Sequence, residues 1–228
     1  VTTGTGSGKT ETFLLPLLAQ LARESVTWEA ANKPDKQRKW WKYGIDRTSQ
    51  WKHINRPPAL RALILYPLNA LVEDQLRRLR TTLDNDLIRS WLDTNRDGNR
   101  ITFGRYTGLT PISGAETPDS MKRLQKELVD IEESYQQIAA GAGASEDARW
   151  YFANPDGAEM WSRCDMQDTP PDILITNYSM LNIMLMRSIE SSIFDDTRRW
   201  LELDPYRETE NPLHIFHLIV DELHAYRG

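Results

Sequence analysis

Apolar residues along the chain occur in two kinds of segment, short continuous runs and longer stretches with a helical period. Four of the runs are rich in Ile, Leu and Val, which is typical of strands buried on both faces of a parallel sheet. The predicted strands cover residues 60–66, 101–106, 172–176 and 213–221. Parallel strands are joined by crossover segments, usually helices, and the sequence supplies candidates for them.

Three stretches carry apolar residues at helical spacing. Residues 9–22 and 69–83 each place leucines and other apolar residues three or four positions apart, and residues 120–140 form a longer amphipathic helix. The apolar side of this last helix carries Met121, Leu124, Leu128, Ile131 and Tyr135. Alternation of strands and helices predicts a doubly wound α/β fold.

Two segments, residues 24–58 and 111–171, interrupt this alternation, and we interpret them as insertions on the sheet. The first is basic, with eight Lys or Arg against four acids, and contains Trp28, Trp40, Trp41 and Trp51. Its basic side chains could bind phosphate, and its tryptophans could stack on bases. The interpretation we favour is that its tryptophans pack on the domain. The second insertion is acidic, and its helix is expected to cover the domain or to contact a protein partner.

Composition restricts the class of protein. The 228 residues are 39% hydrophobic and 27% charged, with a net charge of −5, and no apolar run approaches the ~18 residues of a membrane span. One cysteine excludes a disulfide scaffold and predicts a reducing, cytoplasmic location. Residues 1–110 carry 18 basic against 11 acidic residues, and residues 111–228 carry 10 against 22. The first half of the chain could therefore face a polyanion.

A glycine-rich segment opens the chain: Thr3-Gly4-Thr5-Gly6-Ser7-Gly8-Lys9-Thr10. Glycines let successive N–H groups point at phosphate oxygens, and a helix beginning near Lys9 adds its positive end. Lys9 can reach the β and γ phosphates, and the Thr10 hydroxyl can coordinate Mg²⁺. Thr3 stands where the usual pattern has glycine. A Gly/Ser-rich linker is the alternative, but Gly-Lys-Thr lies at the junction where phosphate binding requires it.

Two adjacent carboxylates, Asp221 and Glu222, follow the last predicted strand. They belong to the edge at which α/β sheets bind ligands. In phosphate-loop NTPases such an Asp holds Mg²⁺ together with the loop hydroxyl, here Thr10, and a neighbouring Glu can polarise the attacking water. We predict that Lys9, Asp221 and Glu222 are catalytic. The alternative is a strand that ends in two solvated acids, with His224 a surface residue.

The two motifs together resemble those of superfamily 2 helicases, specifically the DExH-box group. Residues 66–75 (YPLNALVEDQ) resemble motif Ia, and residues 171–181 (PDILITNYSML) resemble motif Ib, with Asn-Tyr in place of the more common Thr-Pro pair. Thr107-Gly108 lies where the family keeps a glycine-containing backbone contact. The sequence DELHAYRG resembles that of large bacterial phage-defence and DNA-repair helicases of the DISARM type.

The resemblance implies a RecA-like P-loop NTPase domain of the α/β class, with helices on both faces of a parallel sheet. It implies ATP and Mg²⁺ as cofactors, a nucleic-acid partner, with DNA favoured over RNA, and His224 as a coupling residue. The implied nucleic-acid contacts are Pro67, Leu68, Asn69, Gln75, Thr107, Gly108, Thr176, Asn177 and Tyr178. Asn69, Thr176 or Asn177 could instead cap the helices that follow, and Gln75 and Tyr178 could simply pack.

We therefore expect residues 1–228 to be one helicase ATP-binding domain, truncated at both ends and cut from a longer protein with a second RecA-like domain. Since the second domain supplies arginine fingers in this family, the isolated chain is expected to hydrolyse ATP weakly or not at all. Protein partners could bind through the insertions, and no membrane partner is expected. The alternatives are a duplex translocase or partner-controlled switch without strand separation, and a nucleic-acid-binding scaffold with a relic nucleotide site.

Overall fold

Parallel strands pair into one sheet at the centre of the molecule. The computed structural model describes residues 9–33, 36–44, 46–67, 69–112, 115–140 and 146–222. Within these residues the strands are β1 (Ala62–Leu65), β2 (Phe103–Tyr106), β3 (Glu159–Met160), β4 (Ile173–Thr176) and β5 (His217–Val220). Their spatial order is β3-β2-β4-β1-β5, and every pairing is parallel. Because all strands point the same way, their carboxyl ends meet at one edge.

Helices flank this sheet. They are α1 (Lys9–Glu24), α2 (Asn69–Leu83), α3 (Asp86–Asn95), α4 (Pro118–Ala139), α5 (Arg163–Asp168), α6 (Tyr178–Met186) and α7 (Ser191–Glu202). Strands β1 and β4 are buried at all four positions, so both of their faces are covered. The predicted α/β fold with a parallel sheet is therefore confirmed.

Local sequence explains where several helices begin. Helix α4 starts at Pro118, and Thr117 and Ser120 form a reciprocal capping box before it. The Asn85 side chain caps α3 by accepting a hydrogen bond from the Ile88 amide. The predicted helix at 69–83 has the observed bounds of α2, and α4 begins two residues before its predicted start.

The second segment read as an insertion, residues 111–171, contributes more to the domain than the sequence indicates. It contains β3, which pairs with β2 and extends the sheet. Ala158, Met160 and Met166 from the same segment join the main apolar core. The strand escaped prediction because it has two residues, and the first of them, Glu159, is a buried carboxylate.

A smaller apolar cluster, here called the tryptophan cluster, joins the two inserted segments. It consists of Trp40, Trp41, Leu124, Leu128, Trp161 and Cys164. Each inserted segment therefore contributes part of this shared cluster. Trp40 and Trp41 are 5% and 4% exposed, so these rings pack against protein, as in the interpretation favoured from the sequence.

Buried charges form a network at the amino edge of the sheet, just before β1, β2 and β4. Arg56 holds both carboxylate oxygens of Asp172 at 2.5 and 2.6 Å, and Arg61 contacts the same carboxylate at 2.9 Å. Arg61 also binds Glu24, whose oxygen accepts hydrogen bonds from the indoles of Trp28 and Trp200. Burial opposes ionisation of Asp172, but the two arginines outweigh it and hold its pKa below the ordinary value.

No helix in the described part of the chain is long and apolar enough to cross a membrane.

Candidate nucleotide and nucleic-acid site

Four polar segments that the sequence singles out follow four neighbouring strands. Pro67 comes after β1, Thr107 and Gly108 after β2, Thr176 to Tyr178 at the end of β4, and Asp221 and Glu222 after β5. Since β2, β4, β1 and β5 are adjacent and parallel, these segments lie side by side at the carboxyl edge. This is the edge at which open α/β sheets bind ligands.

The acid pair continues directly from β5. The Asp221 amide donates to the Leu65 carbonyl at 3.0 Å, which extends the pairing with β1 by one residue. One carboxylate oxygen of Asp221 accepts the Glu222 amide at 2.9 Å, and both side chains are half-buried. Glu222 has φ of +49°, in the left-handed region that residues other than glycine enter at a cost. Backbone of this kind clusters at functional sites.

The start of α1 lies towards the same edge. Near its end, Gln20 donates to the carbonyl of Leu213, which precedes β5, so this end lies at the amino edge. Near its start, Glu11 accepts a hydrogen bond from Arg78 of α2. A 16-residue helix is about 24 Å long, which carries Lys9 towards the carboxyl edge. Residues Thr3, Gly4, Thr5, Gly6, Ser7 and Gly8 lie outside the described residues, as do the side chains of Lys9 and Thr10.

The turn after β2 is tightly braced. The Thr110 amide donates to the Thr107 carbonyl at 3.1 Å, and the Thr110 hydroxyl accepts the Thr107 amide at 3.0 Å. The Arg163 guanidinium donates to the same Thr107 carbonyl at 2.5 Å. Thr107 is 1% exposed, whereas Gly108 is exposed and has open space where a side chain would stand. At this turn the backbone near Gly108 and the side chain of Leu109, which is 63% exposed, are presented to a ligand, whereas Thr107 is not.

Thr110 and Arg163 are supporting residues that sequence reasoning missed. Arg163 begins α5, and its guanidinium also lies 5.1 Å from the centre of the Tyr106 ring. No sequence pattern could have paired it with Thr107, because the two residues are 56 positions apart.

At the end of β4, three consecutive residues have different environments. The buried Thr176 hydroxyl donates to the Tyr106 carbonyl at 2.5 Å, which ties β4 to β2. The Asn177 side chain accepts a hydrogen bond from the Met180 amide at 2.8 Å and so caps α6. Capping was one of the two roles predicted from the sequence for this residue. Tyr178 is 54% exposed on the first turn of α6.

Motif Ia lies where β1 passes into α2. Tyr66 is buried and its amide donates to the Thr176 carbonyl at 3.0 Å, while Pro67 is half-buried. Gln75, in the second turn of α2, is 6% exposed. Leu68 and His224 lie outside the described residues, and of Asn69 only its position at the start of α2 is described.

Among the described residues, no group of three or more His, Cys, Asp and Glu is arranged to hold a metal ion. The donor set at the edge is instead a single Asp beside a Glu, with one Asp221 oxygen engaged by the Glu222 amide. The second oxygen of the half-buried Asp221 carboxylate is then the one that could coordinate Mg²⁺. Such a site suits Mg²⁺, because this ion binds one or two carboxylates and retains water.

Comparison with known proteins agrees with this geometry. The family model of the DEAD/DEAH box helicases matches residues 1–131. The chain is 32% identical over 269 aligned residues to Druantia protein DruE of Escherichia coli (strain UMEA 4076-1), an alignment that takes in all of this chain. It spans 13% of that relative's length. No solved structure matches the chain significantly. The motifs, the parallel sheet and the family match together show that the chain belongs to the DEAD/DEAH box helicases, as a first RecA-like domain of superfamily 2.

Proposed function

We propose that the chain is the ATP-binding part of an ATP-dependent helicase or translocase that acts on DNA rather than RNA, in a bacterial antiviral-defence system. The observation that carries the proposal is the alignment of four candidate segments at one edge of the sheet, with Asp221 and Glu222 after β5. The family supports ATP-dependent helicase chemistry, and the likeness to Druantia protein DruE supports the placement among bacterial proteins of this kind.

In this proposal, residues Thr3 to Thr10 cradle the phosphates of ATP, and Thr10 and Asp221 hold Mg²⁺. The metal supplies charge neutralisation at the phosphates. Glu222, whose backbone is in the left-handed region, accepts the proton of the attacking water at its carboxylate. Lys9 binds the β and γ phosphates. His224 couples this site to the nucleic-acid site.

Nucleic acid lies across the ends of β1, β2 and β4. Its backbone contacts the starts of α2 at Asn69 and of α6 at Tyr178 and the exposed turn at Gly108, which offer N–H donors to phosphate without reading sequence. Pro67, Thr107, Thr176 and Asn177 shape these segments from beneath. The buried Gln75 contributes through the packing of α2, and Leu68, which lies outside the described residues, stays in the proposal as a nucleic-acid contact.

The test measures ATP hydrolysis by the full-length parent protein with single-stranded DNA, duplex DNA and RNA. Glu222→Gln is compared with a matched control, Glu210→Gln, which alters an exposed carboxylate in the loop that precedes β5. We expect stimulation by DNA that Glu222→Gln abolishes and Glu210→Gln preserves. The isolated 228 residues are expected to hydrolyse ATP poorly, since a second RecA-like domain would supply the arginine fingers.

Other outcomes would redirect the assignment. Hydrolysis that ignores every polymer would favour a partner-controlled switch, and absence of hydrolysis would favour a scaffold with a relic site. Stimulation by duplex DNA without strand displacement would identify a translocase.

A further inference from the structure

A cavity of about 380 Å³ lies beside the β2–β3 end of the sheet, between α2, α4 and the 3-10 segment Glu146–Tyr151. Its wall includes residues just after β2 and β3, among them Leu109 and Trp161. The cavity is therefore formed by the sheet and the second inserted segment together. It is separate from the acid pair, which follows the strand at the opposite end of the sheet.

Both arginines that line the cavity are already neutralised by this chain. Arg80 forms a two-pronged ion pair with Glu159 at 2.6 and 2.8 Å, and Arg105 pairs with Glu73. Arg77, whose guanidinium lies 5.4 Å from the centre of the Tyr151 ring, pairs with Asp74.

Two further carboxylates in the wall have no such partner. Glu127 and Asp130 lie one turn apart on α4, and neither forms an ion pair with any residue that the structure describes. Glu127 is half-buried and Asp130 is exposed, so both can meet a ligand at the cavity mouth. The surplus charge of the cavity is negative, and it therefore repels nucleic-acid phosphates.

Aromatic rings also line the cavity. Tyr151 and Phe152 are 62% and 38% exposed, so both rings are accessible to a ligand in the cavity. Trp161 is 7% exposed, is held edge-on by Trp41 at 5.3 Å, and its indole Nε1–H has no hydrogen-bond partner among the described residues. Rings combined with unpaired carboxylates favour a planar cation, because the ring faces and the carboxylates both attract positive charge.

We propose that this cavity is a docking site for an arginine side chain presented by a partner protein. Glu127 and Asp130 accept hydrogen bonds from the guanidinium, and Tyr151 and Phe152 contact its planar face. Arginine fits better than lysine because its flat, forked group can stack on a ring and bind carboxylates at the same time. Exposed aromatic residues and arginine are the residue types that dominate the energetics of protein interfaces.

The experiment uses the full-length parent protein and a fluorescein-labelled octapeptide of alternating glycine and arginine. Fluorescence anisotropy gives its affinity, and the same peptide with citrulline in place of arginine tests whether charge is required. We expect binding that Glu127→Gln and Asp130→Asn each weaken about fivefold, and that weakens further as salt rises. Glu133→Gln, an exposed carboxylate on α4 outside the cavity wall, should change the affinity less than about twofold.

Several results would overturn the proposal. They are no binding of the arginine peptide at millimolar concentration, equal binding of the citrulline peptide, or equal effects of Glu127→Gln and Glu133→Gln. Binding of labelled oligothymidine that Tyr151→Ala weakens while Glu127→Gln strengthens it would instead assign the cavity to a nucleobase. Thermal unfolding of each variant within about 2 °C of the parent would show that the fold is intact.

Discussion

At the amino edge of the sheet, Asp172 is 0% exposed and is held by two arginines, whereas at the carboxyl edge Asp221 and Glu222 are half-buried. Both edges carry charged residues next to strand ends. At the first edge the chain provides partners for its own charges, and at the second it leaves groups open to a ligand. Polar residues that the fold satisfies internally support the structure, and those that it leaves available are candidates for function.

The largest expected effect is on stability, at the amino edge. Asp172→Asn leaves two buried guanidinium groups without their shared carboxylate, and breaking a buried ion pair in this way costs about 3–5 kcal/mol. Chemical denaturation of the 228-residue domain measures the change. A decrease in the free energy of unfolding of less than 1 kcal/mol would show that water or neighbouring groups replace the carboxylate. The two edges would then not differ in the way that we describe.

The same substitution at the carboxyl edge should separate activity from stability. We expect Asp221→Asn to lower the ATPase rate of the full-length protein at least about 100-fold, because a group that stabilises transition-state charge is lost. The free energy of unfolding should stay within about 0.5 kcal/mol of the parent value, since the side chain is half-buried. A large loss of stability with normal activity would reverse the roles that we assign to the two edges.

Asp84 also lies at the amino edge, but the chain does not provide partners for both of its carboxylate oxygens. Asp84 accepts the Ala158 amide at 2.7 Å with one oxygen, but its other oxygen is buried without a hydrogen-bond partner among the described residues. Burial raises the pKa of Asp84 to about 6, with the negative charge of Glu159 adding to the effect. Its protonated form therefore favours the folded state, and this stabilisation is present below pH 4 and is lost as pH rises through 6.

Removing that charge should increase stability at neutral pH. We expect Asp84→Asn to raise the free energy of unfolding by about 1–3 kcal/mol at pH 7.5 and to have little effect at pH 4. Denaturation curves at the two pH values measure the difference between the parent and the variant. Equal effects at both pH values would indicate a change in packing and would exclude titration of Asp84 as the cause.

The smallest expected effect is on the affinity for single-stranded DNA. It is tested with two tyrosines that are almost equally exposed and lie at opposite edges of the sheet. Tyr178, on the first turn of α6 at the carboxyl edge, is 54% exposed, and Tyr206, in the loop that leads to β5, is 53% exposed. Tyr178→Ala should weaken binding of single-stranded DNA to the full-length protein about five- to tenfold, whereas Tyr206→Ala should leave it unchanged. Equal affinities for the two variants would remove Tyr178 from the nucleic-acid path.

Much of the sheet could be predicted from the sequence. Four strands lie within the predicted segments: β1, β4 and β5 consist mainly of aliphatic residues, whereas β2 contributes only the aromatic Phe103 and Tyr106 as apolar side chains. Helix α2 has its predicted bounds because its apolar residues recur at helical spacing. Strand β3 and helices α3, α5 and α7 were not predicted, and α6 was expected only as a helix that follows Thr176 or Asn177. β3 has two residues and α5 has six, and such short elements carry no measurable period.

The candidate site, too, could be predicted from the sequence only in part. The acid pair and the glycine-rich loop are contiguous strings, so their chemistry is visible without a structure. The environment of each candidate side chain could not be predicted from the sequence. Thr107 and Gln75 are buried, the Thr176 hydroxyl donates a hydrogen bond to the Tyr106 carbonyl, and Tyr178 is exposed. These differences depend on neighbours from other strands.

The sequence by itself determined the α/β class, the direction and rough position of four strands, and the two motifs that indicate ATP and a helicase, because these properties depend on local runs and short spacings. Tertiary structure alone decided which charges are paired, how two separate segments share the tryptophan cluster, and that a cavity with unpaired carboxylates lies beside β3. The Arg80–Glu159 pair joins residues 79 positions apart. Contacts at such separation are fixed only when the sheet brings its strands together, and no local pattern encodes them.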